Sequence, residues 1–307
     1  MGDINLSVLI ASLMVASVPI LLAALGEMVT ERAGVLNLGV EGMMIMGAIC
    51  GFIVAVGTGS PLLGFVAGAA GGAGISLLFA VLTLVFLANQ VATGLALTLF
   101  GLGLSALMGQ GYTGIKPPAT AEIDFGALSE IPFLGRVLFS HDWVVYFSLF
   151  MVAAIWWFIT RTRAGLVMRA VGESAEAAHA LGYKVARIRL GAIAFGGAMA
   201  GMGGAYISLI RVPQWTDGIT AGAGWIALAI VVFASWRPVR VLIGAYLFGG
   251  ISVLQLNLQA AGSSIPVEYL SMAPYLVTIA VLVAISAGRG RNTDAPAALG
   301  QNFHSVR

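Results

Sequence analysis

Residues 172–182 read GESAEAAHALG, an alanine-rich, polar stretch inside a chain that is otherwise strongly apolar. Ser174 can accept a hydrogen bond from the first unpaired amides of a helix, and Glu176 falls in the first turn, where a negative charge suits the helix dipole. Gly182 can adopt the left-handed conformation that ends a helix. The stretch therefore reads as a helix of about two turns, too short to be stable alone in water, so it needs a groove to dock in. Ala177, Ala178 and Leu181 form a small apolar face, and Glu173, Glu176 and His179 lie on the other. A helix resting on a membrane surface would place Lys or Arg on its polar face, whereas this one places glutamates there. The basic residues stand outside it: Arg161, Arg163 and Arg169 before, Lys184, Arg187 and Arg189 after.

The surroundings of that stretch are a membrane protein. Of 307 residues 59% are hydrophobic and 9% charged, and the mean hydropathy is +0.98; a soluble domain carries about 25% charged residues. Glycine, at 41 residues, is about twice its usual share and allows the close backbone approach that drives helix association in lipid. Cys50, the one cysteine, sits in an apolar segment and reads as a small core residue. The N-terminal MGDINLS has no Lys or Arg, and the apolar run from Leu6 to Leu25 is too long for a signal-peptide core, so it is read as the first span.

Crossing the hydrocarbon core takes about 20 apolar residues. Such runs lie near 6–26, 34–56, 62–87, 91–110, 142–160, 191–210, 222–236, 239–260 and 270–287. The expected fold is all-α and polytopic, with about nine transmembrane helices (eight to ten). The second span, which holds Asn37, Glu41 and several glycines, is expected to be broken, and the seventh is short unless tilted. Residues 1–287 read as one transmembrane domain with the loop 161–190 inside it, and 288–307 as a polar tail expected to be mobile. Placing that loop in the cytoplasm puts twelve of the fifteen Lys and Arg inside and leaves Lys116, Arg136 and Arg211 outside, as the positive-inside rule requires. The N-terminus is then external and the C-terminus cytoplasmic.

The sequence of residues 176–182, Glu-Ala-Ala followed by Gly182, resembles the EAA loop of bacterial ABC importer permeases. That resemblance implies a short coupling helix seated in a cleft of a separate ATPase, with Glu173, Ser174, Glu176, Ala177, Ala178, Leu181 and Gly182 at the contact. The fuller form of the loop ends in Ile-x-Leu-Pro, while here Ile188-Arg189-Leu190 lacks the proline. ERAGVLNLGVEGMMIMGA (31–48) and GWIALAIVVFASWRPVRVLIGAYLFGG (224–250) are similar to the permeases of branched-chain amino acid, ribose and nucleoside importers, most closely the shorter permease of nucleoside or simple-sugar systems. The resemblance covers roughly residues 25–285. It implies two permeases, identical or homologous, two cytoplasmic ABC ATPases and a periplasmic or lipid-anchored solute-binding protein, in the bacterial inner membrane.

The residues fit a transport subunit and not an enzyme. Neither Lys116 nor Lys184 lies in a phosphate-binding loop, so ATP would be bound by the partner. His141, His179 and His304 have no metal-like spacing, and no cofactor, metal or nucleic-acid partner is expected. Polar groups within spans tend to face a cavity or the bundle interior. Asn37 and Glu41, four apart, would share a helical face, as substrate contacts or as local bonds holding a broken helix open. Gln90 and Thr93 open the fourth span, and Gln255 and Asn257 sit in the eighth with Gln259. Such neutral groups suit a nucleoside or sugar, though branched-chain amino acids, or an ATP-independent carrier or channel, stay open as alternatives. Gly64, Gly68 and Gly72, and Gly197, Gly201 and Ala205, repeat at four-residue spacing and would line two packing faces. The sixth span, directly after the loop, would transmit its displacement, so that Gly201→Leu abolishes uptake but not ATPase association.

Overall fold

The computed structural model describes residues 6–123, 125–260, 266–287 and 295–304. Its helices are α1 (Leu6–Arg32), α2 (Val40–Thr58), α3 (Pro61–Ala80), α4 (Gln90–Gly109), α5 (Leu134–Leu138), α6 (Trp143–Arg161), α7 (Arg163–Glu173), α8 (Ala175–Ala180), α9 (Val185–Tyr206), α10 (Ala223–Phe233), α11 (Pro238–Ala260) and α12 (Val267–Ala287). α3 and α9 each run on through a π-helical turn, Val81–Val85 and Ile207–Arg211. Among the described residues seven helices are long and apolar enough to cross a membrane, and the fold is all-α and polytopic.

Helix boundaries follow local chemistry. Thr58-Gly59-Ser60-Pro61 turns the chain from α2 into α3: Gly59 takes φ +70°, Ser60 accepts from Leu63 N, and Pro61 occupies a first-turn position, where its missing N–H costs nothing. Asn89 caps α4 through Ala92 N at 2.9 Å. Asp142 caps α6 through Val144 N at 2.9 Å and Val145 N at 3.2 Å, and its second oxygen accepts from Tyr206 Oη at 2.8 Å. One carboxylate thus starts α6 and ties it to α9.

The core is a close pack of α1, α2, α3 and α9. Every residue of α1 from Ala16 to Glu31 is buried, so this helix is enclosed on all sides, as an internal helix must be. The rows of small residues meet there: Gly68 lies against Ala205 and Gly72 against Gly201. A Cβ at Gly47 would run into the Gly201 backbone, and one at Gly201 into Gly68 O. Helix backbones touch directly here, which gives dispersion contact in lipid without needing water to be expelled.

Three departures from the expected spans matter for function. α1 runs on to Arg32, which carries Glu27 and Glu31 into the buried core at 1% exposure each; Glu41 is not the one deep acidic residue. Residues 33–39 are non-helical, so the second span begins as an extended re-entrant segment before α2. Finally, α10 has 11 residues, about 16 Å of helix and so about half of a bilayer core. It is a half-span, and a half-span leaves a helix end inside the protein.

Candidate functional site

That internal end of α10 is where Glu41 lies. Its carboxylate, on a side chain 4% exposed, accepts from Thr220 Oγ1, from Gly222 N at 2.9 Å and from Gly224 N at 2.7 Å. Glu41 also stands in the first turn of α2, so it faces two helix N-termini, and both dipoles favour its negative charge. Glycines make the approach possible: Gly222 takes φ +83°, and a Cβ on Gly224 would press into the Glu41 backbone. A helix end held inside the protein needs such a partner for its unpaired amides.

Asn37 does not share a helical face with Glu41, because residues 33–39 are not helical. Asn37 Oδ1 accepts from Gly39 N at 2.9 Å, its Nδ2 donates to Met43 Sδ at 3.3 Å, and its backbone N donates to Glu27 Oε1 at 3.2 Å. α4 flanks the same segment. Gln90 Oε1 accepts from Leu36 N at 2.8 Å, Thr98 Oγ1 donates to Leu38 O at 3.2 Å, and Thr93 is buried one turn from Gln90. The structure therefore gathers Asn37, Glu41, Gln90 and Thr93 around one re-entrant segment.

Gln255 and Asn257 lie elsewhere. α11 runs against α1 with Gly249 on Ser17 and Gly250 on Leu13, which places both polar residues beyond Leu13, on the order of 20 Å along α1 from Glu27. Asn257 Nδ2 donates to its own helix at Val253 O, 2.8 Å away. On the far side of the α10 N-terminus a cavity of about 380 Å³ opens between α10, α11 and α12, lined by Gly222, Trp225, Phe248, Tyr275 and Thr278. Phe248 and Tyr275 meet edge to face at 5.9 Å. Its size is that of a small-molecule site, and aromatic walls with few polar groups are the usual lining of one. The sequence reading missed this wall: three aromatics on three helices have no shared spacing.

At one end of the bundle, α7 and α8 form the region around GESAEAAHALG. Ser174 caps α8 by accepting from Ala177 N at 3.2 Å, and Gly182 takes φ +88°. The apolar faces differ from the expected grouping. Ala175 and Ala178 point inward onto Val171 and Val185, with Phe303 packed against them, while Ala177 is exposed and Leu181 is 77% exposed. α7, which the sequence reading left as loop, supplies Val171 to that pocket and so turns α8's smaller residues inward. The outward surface is Glu176, Ala177, Leu181 and Tyr183, beside Lys184 and Arg187. Glu173 faces the chain's last segment, where its Oε2 accepts from Ala297 N at 3.4 Å.

The tail, expected to be mobile, is held over residues 295–304. Ala298 N donates to Gly172 O, and Asn302 bonds Gln90 and the backbone before α4; residues 288–294 and 305–307 lie outside the described part. On the same end, Trp236 Nε1 donates to Glu31 Oε2, and Trp236 O accepts from Arg32 Nη2 at 3.2 Å. This clasp anchors the C-terminal end of α10 to the end of α1.

The chain is similar along nearly its whole length to known transport proteins. It is 41% identical to the provisionally named glucose ABC transporter permease protein TsgC13 of Haloferax volcanii, over 94% of this chain and 95% of that one. It is 33% identical to the guanosine ABC transporter permease protein NupQ of Bacillus subtilis, over 96% of each. With the nucleoside ABC transporter permease protein NupC of Lactococcus lactis it shares 31% identity, over 97% of each. Residues 9–282 match the family described as the permease component of branched-chain amino acid transport systems, and it is to this family of permeases that the chain belongs.

Proposed function

We propose that the chain is the membrane-spanning subunit of an ATP-driven importer for nucleosides or simple sugars, with hydrolysis carried out by a separate cytoplasmic ATPase. The observation that carries the reading is α8: a capped, six-residue helix with Ala175 and Ala178 packed inward and, just after it, Leu181 and Tyr183 turned outward. A helix so short needs a groove to hold it, and this one presents an exposed apolar knob framed by charge. The names of the similar permeases, for glucose, guanosine and nucleosides, support the solute class.

In this reading the α7–α8 end faces the cytoplasm, as does the C-terminus, in keeping with the excess of Lys and Arg there. A solute-binding protein delivers the solute on the opposite face, and a second permease, identical or homologous, completes the assembly. The aromatic cavity of Trp225, Phe248 and Tyr275 is the wall against which a nucleobase or the CH face of a sugar stacks. It adjoins the glycines that Glu41 holds, so a tilt of α10 alters its shape. Glu41 then acts on the path through α10, while Asn37, Gln90 and Thr93 set the position of the re-entrant segment. Driving such a switch from 1:99 to 99:1 takes about 5.5 kcal/mol of differential binding, which ATPase closure on α8 supplies.

The test is uptake by proteoliposomes containing this chain, its partner permease, its ATPase and its binding protein, with labelled guanosine, uridine or glucose offered and ribose and leucine as competitors. ATP-dependent uptake of guanosine or uridine, unaffected by leucine, supports a nucleoside importer, and ATP-dependent glucose uptake a sugar importer. Uptake that proceeds without ATP would sink the reading.

A further inference from the structure

The last described residues cross the α7–α8 end of the molecule and touch three separate bodies. The first is the α7–α8 junction: Ala298 N donates to Gly172 O near the end of α7 at 2.9 Å, and Phe303 packs against the small cluster beneath α8, edge-on to His179 at 5.3 Å. The second is α9, whose buried Arg189 donates from Nη1 to Gln301 O at 2.8 Å and from Nε to Ala33 O at 3.2 Å. The third is the start of α4. Asn302 Nδ2 donates to Leu87 O at 2.6 Å and Ala88 O at 3.2 Å, and its Oδ1 accepts from Gln90 Nε2 at 3.1 Å. Gln90 Oε1 in turn accepts from Leu36 N at 2.8 Å. A continuous chain of bonds therefore runs from the end of α7, which leads into α8, to the re-entrant segment, and Phe303 adds a ring contact to α8 itself.

We infer that residues 298–303 form a strap that carries displacement of α8 to the re-entrant segment, with Asn302 as a positioning residue for transport. The inference rests on α8 being the ATPase-docking helix. From Ala298 to Asn302 is five residues, at most about 17 Å when fully extended. The segment is instead folded into a turn in which Gln301 N bonds Ala298 O at 3.2 Å and Gly300 takes φ +76°. Its slack is released by opening that turn; past that point, α8 cannot move without pulling Gln90 and Leu36. α8 itself is a poor lever, since it is six residues long and its inward face holds two alanines. The polar links of the strap are directional, whereas a small apolar contact lets surfaces slide.

The experiment measures solute moved per ATP hydrolysed in the full complex with its ATPase and binding protein, in proteoliposomes. For Asn302→Ala the ratio falls about tenfold, within the range of ordinary coupling energies, while the ATPase still co-purifies and hydrolyses ATP within about twofold of the parent rate. Asn302→Asp keeps the acceptor for Gln90 but sets a carboxylate oxygen against Leu87 O and Ala88 O, so the ratio falls at least as far as for Asn302→Ala. Equal loss of transport and hydrolysis, or no change in the ratio, overturns the strap. A second measurement needs no ATPase. Hydrogen exchange on the purified full chain shows the Leu36 amide about tenfold less protected in Asn302→Ala, with Ile45 to Ile49 of α2 unchanged; unaltered protection at Leu36 overturns the link. If the parent takes up solute without ATP, the docking reading fails and Asn302's role in coupling falls with it. The exchange result still reports whether the strap joins the two sites.

Discussion

The molecule is held together in two different ways. Where α2, α3 and α9 meet, glycine and alanine rows bring backbones into direct contact and almost no side-chain hydrogen bond crosses the interface; Ser208 Oγ to Ala48 O, at 2.8 Å, is one that does. Around the re-entrant segment, contact is made by polar groups instead: Glu41 on the end of α10, Asn37 beside Glu27, Gln90 on Leu36, Arg189 on Ala33. Close-packed backbones have one arrangement and resist deformation. The second region is built around the non-helical residues 33–39, so it is the one suited to movement, and its directional hydrogen bonds set which segments move together. Of the residues expected to line a path, Asn37, Glu41, Gln90 and Thr93 fall in or beside the second region, while Gln255 and Asn257 do not.

That contrast can be broken from either side. The largest loss is expected for Glu41→Ala, which leaves two backbone amides and the Thr220 hydroxyl without a partner in a water-free interior. The cost is about 4 kcal/mol, measured as reduced thermal stability in detergent with faster exchange confined to α10. Next is Gly201→Leu, where the new side chain meets the α3 backbone at Gly68 and Gly72. Overpacking of this kind costs about 3 kcal/mol, so the variant loses folded protein. The expected outcome is therefore loss of the fold and not of uptake alone; intact, assembled protein on size-exclusion chromatography would show the glycine contact to be dispensable.

Asp142→Ala is expected to cost about 2 kcal/mol, combining a lost helix cap with an orphaned Tyr206 hydroxyl. It probes a polar contact at the edge of the rigid frame, and additivity with Tyr206→Phe in a double-mutant cycle would disprove the tie. The smallest effect on stability belongs to the docking surface. Leu181→Ala and the pair Glu176→Lys with Ala177→Arg alter exposed positions and should change stability by no more than about 0.5 kcal/mol. Both should nevertheless lower ATPase co-purification and ATP-driven uptake, the charged pair nearly to zero. Loss of stability in place of loss of binding would mean that α8 belongs to the frame.

Much of this was readable before any coordinates. The caps Ser174 and Gly182 and the two rows of small residues follow from local conformational and steric rules, which act over a few residues and leave direct marks in sequence. The mixed face of α8 was misjudged because spacing defines a face only once the partner is known; Val171 and Val185 chose Ala175 and Ala178. Glu27 and Glu31 were passed over because an apolar run was ended at the first charge, whereas a charge can stay inside a span if the tertiary fold supplies Trp236 and the Asn37 amide. Asn302 carried no signal at all, since an asparagine in a polar tail looks like any solvated residue.

By itself the sequence determined an all-α membrane protein and a small capped helix in its basic loop, because hydropathy and capping depend on each residue and its near neighbours. That α10 stops halfway, that Glu41 holds its end and that the tail reaches from α8 to Gln90 were decided by the tertiary structure. Those contacts join residues more than 120 positions apart, and no local preference encodes a partner so distant.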